Sequence, residues 1–148
     1  MLPKLEIKRF NELNTEELYQ ILKLRSQVFV VEQNCVYQDI DDKDRKALHV
    51  LGSYEGEIIA YARLFNAGDY FDNASIGRVV IDADYRDKKW GHVLMHTAIE
   101  GIRTYFDQQT ITISAQLYLK KFYETNGFVV TGDVYDEDGI PHIRMIRN

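Results

Sequence analysis

Ser75-Ile-Gly-Arg-Val-Val-Ile-Asp-Ala-Asp-Tyr-Arg-Asp-Lys-Lys-Trp-Gly-His-Val-Leu-Met-His-Thr-Ala-Ile-Glu-Gly-Ile-Arg-Thr-Tyr-Phe106 changes hydrophobic period once along its length. Ser75 to Ile81 is short and β-branched, which predicts a strand. Leu94, Met95, Ala98, Ile99, Ile102, Tyr105 and Phe106 recur at helical spacing. Between the two lies the basic turn Tyr85-Arg-Asp-Lys-Lys-Trp-Gly91. A helix beginning there exposes N–H groups that have no intrahelical acceptor, and these together with the helix dipole attract phosphate oxygens. Arg86, Lys88 and Lys89 add positive charge, and Gly91 presents no Cβ to an approaching ligand. The same pattern also suits an ordinary solvated helix start. Neither the Rossmann nor the P-loop glycine series is present.

Working outward, Leu5 to Phe10 alternates as a first strand, and Asn14 stands three residues before Glu17 as a capping box. Leu18, Ile21, Leu22, Arg25 and Phe29 give a helix with one buried face, which weakens at the β-branched run from Val28 to Val31. Glu32 to Arg45 is polar and irregular. Ala47–Tyr54 and Glu57–Phe65 are strands joined at Glu55-Gly56. Thr110–Ala115 reads as an inner strand, and Leu117–Asn126 as a helix closed by Gly127. Phe128–Thr131 and His142–Ile146 close the chain as strands, with a turn at Asp136-Glu-Asp-Gly139 between them. No repeat or flexible linker interrupts the 148 residues, so the expectation is one mixed α/β domain over 1–148.

Composition limits the partners. Hydrophobic residues make up 45% and charged residues 28%, which fits neither a disordered chain nor a membrane protein. No uncharged stretch is long enough to span a bilayer and no leader-like segment is seen, giving a cytoplasmic expectation. A net charge of −5 disfavours nucleic acid and admits cationic amines. The lone Cys35 suits a semi-buried structural thiol better than a nucleophile. Asp39, Asp41, Asp42 and Asp44 invite a calcium reading, but Lys43 falls where an oxygen ligand is needed. A solvated acidic loop that attracts a cationic acceptor is the expectation, with no metal.

The basic turn resembles the nucleotide-binding core of the GCN5-related N-acetyltransferase (GNAT) family: Gln or Arg, two variable residues, Gly, one variable residue, then Gly or Ala. Arg86 and Gly91 take the outer positions, while Lys89 stands at the first glycine. Leu24-Arg-Ser-Gln-Val-Phe-Val-Val-Glu-Gln33, His49, Ile76-Gly-Arg-Val-Val80, Phe122-Tyr-Glu-Thr-Asn-Gly-Phe128 and Glu137-Asp-Gly-Ile-Pro-His142 extend the likeness to the ElaA-like branch of that family. The resemblance implies a GNAT-like fold: a mixed central sheet flanked by helices, with a splayed parallel strand pair holding acetyl-coenzyme A.

On that resemblance, Val79 and Ile81 supply main-chain contacts to the pantetheine arm, and Thr110–Ala115 is the diverging neighbour. Arg86, Lys88, Lys89, Trp90, Gly91 and His92 surround the pyrophosphate, with Gln116 and Phe122 further along the coenzyme. The N–H near Val80 is the expected oxyanion donor, and Tyr123 protonates the departing thiolate while also contacting the coenzyme. His49, His142, Glu32 or water takes the proton from the amine. The expected reaction is acetyl transfer to a primary amine of a small molecule or exposed peptide, by a monomer or homodimer. A longer acyl group, or a non-catalytic coenzyme A-binding module, is the alternative.

Overall fold

The computed structural model describes residues Met1–Asn148. Four antiparallel strands, β1 (Lys4–Arg9), β2 (Leu48–Tyr54), β3 (Glu57–Phe65) and β4 (Ser75–Ile81), lie in that order. A second group contains β5 (Ile111–Gln116), β6 (Val129–Val130), β7 (Tyr135–Glu137) and β8 (Ile140–Arg147), with β8 pairing with the other three. The two groups meet where β4 and β5 begin: Ala74 bridges Ile111 in parallel, and Thr112 N–H donates to Ala74 O at 2.9 Å. Beyond that point the two strands are not paired with each other. This is the expected α/β architecture with a splayed parallel pair.

Helix α1 (Thr15–Arg25) covers one face of the first sheet and α2 (Trp90–Phe106) the other. Asn14 accepts from Glu17 N–H and Glu17 accepts from Asn14 N–H, so the capping box satisfies the first donors of α1. Ile21, Leu24 and Val28 pack on Leu51, Tyr61 and Val80. On the opposite face Leu94, Met95, Ala98 and Ile102 are fully buried against Val50, Ala62, Leu64, Ile76 and Ile113. Period-two alternation along β3 sends Ala62 and Leu64 to α2 and Tyr61 to α1.

Three elements differ from the sequence expectation. The helical run does not fade at Val28; it widens into a π-type segment over Ser26–Glu32, which accommodates the crowded β-branched side chains. The expected helix Leu117–Asn126 splits into a tight turn, Leu117–Leu119, and α3 (Lys120–Thr125). Tyr135–Glu137 is strand β7 rather than part of a turn, because it forms a hairpin with β8 about Asp138-Gly139.

The acidic segment is not a solvated loop. Asp39 and Asp44 are buried, and Asp41 is half-buried. Arg25, with 0% exposure, donates Nε to Asp39 at 2.8 Å and a terminal nitrogen to Asp44 at 2.8 Å. Arg63 grips Asp41 with two nitrogens, at 2.8 and 2.9 Å, and reaches Asp44 at 2.9 Å. Arg78 donates to Asp39 at 2.7 Å. Three carboxylates therefore neutralise three guanidiniums, which is how so many charges tolerate burial. Arg78 has φ 50, an uncommon conformation for a residue with a side chain, at the bulge where β4 slips against β3.

Burial acts to raise the Asp41 carboxyl, but hydrogen bonds and charge from Arg63 outweigh it and lower the group from 3.8 to about 2. Asp41 thus contributes stability that is present above the unfolded value and is lost as pH falls through the folded one. Wild type should exceed Asp41→Asn by roughly 2 kcal/mol at neutral pH. Denaturant titrations should show that gap closing between pH 4 and pH 2, whereas a gap independent of pH would remove Asp41 from the network's energetics.

Candidate active site

The parting of β4 from β5 opens a cleft of about 470 Å³. Its walls come from β4, β5, the π-type segment, the start of α2, α3 and the β7–β8 hairpin. A volume of this size suits a ligand arm threaded between strands. Asp82 N–H donates to Ile59 O of β3 at 2.8 Å. Backbone groups alternate sides along a strand, so Val80 also turns its N–H to β3 and Ile81 faces the gap, while Val79, next to the bulge at Arg78, has no register partner on β3. Ile81 O accordingly accepts from Arg86 Nε at 3.0 Å rather than from a strand. Val80 lines the cleft with its neighbours Val79 and Ile81.

At one end of the cleft, α2 begins at Lys89 in the left-handed conformation, φ 60, with no side chain capping its first N–H groups. The contrast with α1, whose capping box fills the same positions, leaves the α2 donors free for an anion. Lys89, Gly91 and His92 line this end. A Cβ on Gly91 would lie 3.1 Å from Phe122 Cε1, so the small residue also serves the packing of α2 against α3. His92 stacks loosely on Phe122, with centroids 5.0 Å apart.

Arg86 lines the cleft, but Glu32 accepts from both of its terminal nitrogens at 2.6 and 2.9 Å. Glu32 is thereby an ion-pair partner at the rim, outside the cleft lining, and not placed as a base. Trp90 and Lys88 are likewise absent from the walls. Trp90 is a core residue between Tyr54 and Tyr85, at 5.1 and 5.6 Å, because its ring points under the helix; Lys88 Nζ lies 5.9 Å from that ring.

Along the cleft, Gln116 and Gln33 exchange amide hydrogen bonds at 2.9 and 3.2 Å, joining β5 to the end of the π-type segment. Tyr123 is 7% exposed and lines the cleft, set edge-on to Phe122 and Phe128. Burial, with a smaller contribution from Tyr118, pushes its phenol above the ordinary range, so the hydroxyl keeps its proton at neutral pH.

The histidines separate. His49 is buried away from the cleft, with Tyr61 OH 2.6 Å from Nδ1 and Asp44 O 2.9 Å from Nε2. Burial lowers its pKa, and neither nitrogen is left to meet a substrate. His142 does line the cleft: Nδ1–H donates to Ile140 O at 2.7 Å, leaving Nε2 toward Glu137 Oε2 at 3.5 Å. Cys35 Sγ donates to Asp138 O, tying the loop after the π-type segment to the β7–β8 turn.

Sequence reasoning passed over Arg63, Arg78, Ser114 and Glu137, all of which line this cleft. One signal was available for the arginines: Arg63 and Arg78 lie inside apolar strands, where a charge needs a buried partner. No group of three potential metal-ligating side chains is assembled.

Comparison with known proteins bears on this geometry. The sequence profile of the Acetyltransferase (GNAT) domain matches residues 11–148. Protein ElaA of Escherichia coli (strain K12) is 42% identical over 139 residues, covering 93% of this chain and 91% of its own. The crystal structure of Escherichia coli ElaA superposes with a TM-score of 0.92 at 39% identity, covering 100% of both chains. An acyl-CoA N-acyltransferase from Pseudomonas aeruginosa gives 0.89 at 38% identity, over 98% of this chain and 99% of its own.

Replacing Arg86 and Lys89 together by alanine should raise the KM for acetyl-coenzyme A by about tenfold, through lost charge at the α2 end. An acetyl-pantetheine thioester, which lacks the pyrophosphate, should change by less than about twofold. Equal losses for both donors in steady-state assays would mean that the double variant damages the scaffold instead.

Proposed function

Because this chain belongs to the GNAT acetyltransferase family and is an acetyl-coenzyme A-dependent N-acetyltransferase, we propose that the cleft between β4 and β5 is its active site. One observation carries the assignment. The two strands share a bridge at Ala74 and Ile111 and then part, leaving Val79 and Ile81 facing a cleft with Tyr123 in its wall. Uncapped α2 donors at one end suit phosphate, and backbone groups of β4 suit the amides of a pantetheine arm. The residues present therefore fit coenzyme A.

In this reading the acceptor amine attacks the thioester carbonyl carbon directly. Val79 N–H donates to the carbonyl oxygen as its charge grows, from a position fixed by the strand before reaction begins. Tyr123 passes its hydroxyl proton to the sulfur as the carbon–sulfur bond breaks. His142 Nε2 takes the proton from the amine, and of the three side chains expected as bases it is the one at the cleft. Cys35 has a structural part, since its Sγ is engaged with Asp138 O.

The domain is taken to span 1–148, because β1 pairs with β2 along its whole length although it precedes the matched interval. No helix is long and apolar enough to cross a membrane. The same reading places the protein in the cytoplasm as a monomer or homodimer without nucleic acid, in keeping with its acidic pI of about 5.3 and single free cysteine.

The test is release of free thiol from acetyl- and longer acyl-coenzyme A across a panel of primary amines. Tyr123→Phe should lower kcat by about a hundredfold or more with little change in coenzyme A binding. Full activity in Tyr123→Phe would assign the proton to another donor. Tight coenzyme A binding without thiol release from any amine would leave a binding module.

A further inference from the structure

The acceptor end of the cleft has an unequal charge inventory. Among its lining residues the carboxylates are Glu137 and Asp138, and the guanidiniums at this end are Arg63 and Arg78. Both guanidiniums are committed to Asp41, Asp44 and Asp39. Arg144, behind this wall, stacks over Phe71 at 4.4 Å and Tyr135 at 5.8 Å rather than forming an ion pair. Glu137 is different: its carboxylate accepts from Ser114 Oγ at 3.1 Å and faces His142, with no lysine or arginine in ion-pair contact. A half-exposed carboxylate without a strong counterion is a seat for a cation.

The surrounding wall is aromatic. Phe65 stacks on Tyr70 at 5.2 Å, and Tyr70 meets Phe71 edge-on at 4.8 Å. Tyr37 also lines the cleft, two residues after Cys35, which ties its loop to Asp138. Tyr70, Phe71 and Glu137 line the same cleft, and burial, then the charge of Glu137, pushes the Tyr70 phenol up. These rings cover an apolar body, and each already meets a protein cation, Arg78 on Tyr37 at 5.7 Å, Lys43 on Tyr70 at 5.9 Å and Arg144 on Phe71 at 4.4 Å, so the cation's seat is the Glu137 carboxylate. An acceptor bearing its own carboxylate would bring that group against Glu137 and toward Arg63 and Arg78, whose charge Asp39, Asp41 and Asp44 already balance.

We propose that the acceptor is a primary amine on an apolar or aromatic body without a carboxylate, seated as its ammonium on Glu137 between the rings of Tyr37, Tyr70 and Phe71. The proposal rests on the active-site reading above and names the substrate class of that site. The ammonium gives its proton to His142 Nε2, and the freed lone pair forms the carbon–nitrogen bond. The carbon–sulfur bond then breaks, the sulfur leaves with the proton from Tyr123, and the nitrogen gives its second surplus proton back to the Tyr123 phenolate, which leaves a neutral amide.

Matched amines that differ by one carboxylate test it: phenethylamine against phenylalanine, and pentylamine against norleucine, each assayed with acetyl-coenzyme A for thiol release. Wild type should favour the carboxylate-free member of each pair by about tenfold or more in kcat/KM, the scale of one unpaired buried charge. Glu137→Gln should raise the amine KM by about tenfold and leave the acetyl-coenzyme A KM unchanged, with Glu137→Asp in between. The unchanged donor KM confirms an intact cleft in the variants. Equal or better use of the amino acids, or an amine KM in Glu137→Gln within about twofold of wild type, overturns the acceptor class. In either case thiol release leaves the transfer reading standing. No thiol release with any of the four overturns the acceptor class, and release with other amines of the panel then keeps the transfer reading.

Discussion

The site depends on β4 and β5 starting together and then separating. The Thr112 N–H to Ala74 O bond holds their beginnings in contact, and no strand pairing follows it. Buried backbone donors and acceptors are otherwise nearly always paired, so a gap inside a sheet calls for another partner. On the proposed reading that partner is a ligand arm. Ile81 and the bulged Val79 border the opening, while Val80 is paired with Tyr61 of β3. The α2 terminus, the phenol of Tyr123 and the Glu137–His142 pair are all arranged along the opening.

What keeps the gap in shape is the network of Arg25, Arg63 and Arg78 with Asp39, Asp41 and Asp44. It joins α1, β3, β4 and the irregular segment that follows the π-type turn. Arg78 occupies the bulge of β4 in a left-handed conformation, and two bonds to Asp39 hold it there. Residues in such conformations persist when their surroundings over-determine them. Such a network costs desolvation, so its value lies less in raw stability than in fixing one arrangement of β4 against the loop. It also neutralises the guanidiniums that border the acceptor end. Stability and strand geometry are thus linked through the same six side chains.

Much of this was legible in the chain. Ser75–Ile81 is found with the bounds that its β-branched run predicts, and the apolar spacing from Leu94 to Phe106 matches the buried face of α2. The Asn14/Glu17 capping box and the Glu55-Gly56 turn follow from local chemistry, and both glycine and glutamate there adopt positive φ. Long-range pairing was not legible. Asp39, Asp41 and Asp44 look like a solvated run because their partners lie far along the chain on α1, β3 and β4. His49 has the residue type of a base, but only the fold puts its two nitrogens on Tyr61 and Asp44. Trp90 belongs to the uncapped helix start at the cleft, yet helical rotation carries its ring to the core. Glu137 hid within an acidic turn until the hairpin of β7 and β8 set it beside Ser114 and His142.

The central claim is that the backbone of β4 facing the gap is the ligand seat. Amide hydrogen exchange on the protein with and without acetyl-coenzyme A tests it most directly. Exchange should slow at Val79 and Ile81 and in the first turn of α2 from Trp90 to His92, while Val80, already bonded within the sheet, changes little. A saturated complex whose Val79 and Ile81 amides exchange as fast as in the free protein would contradict the account.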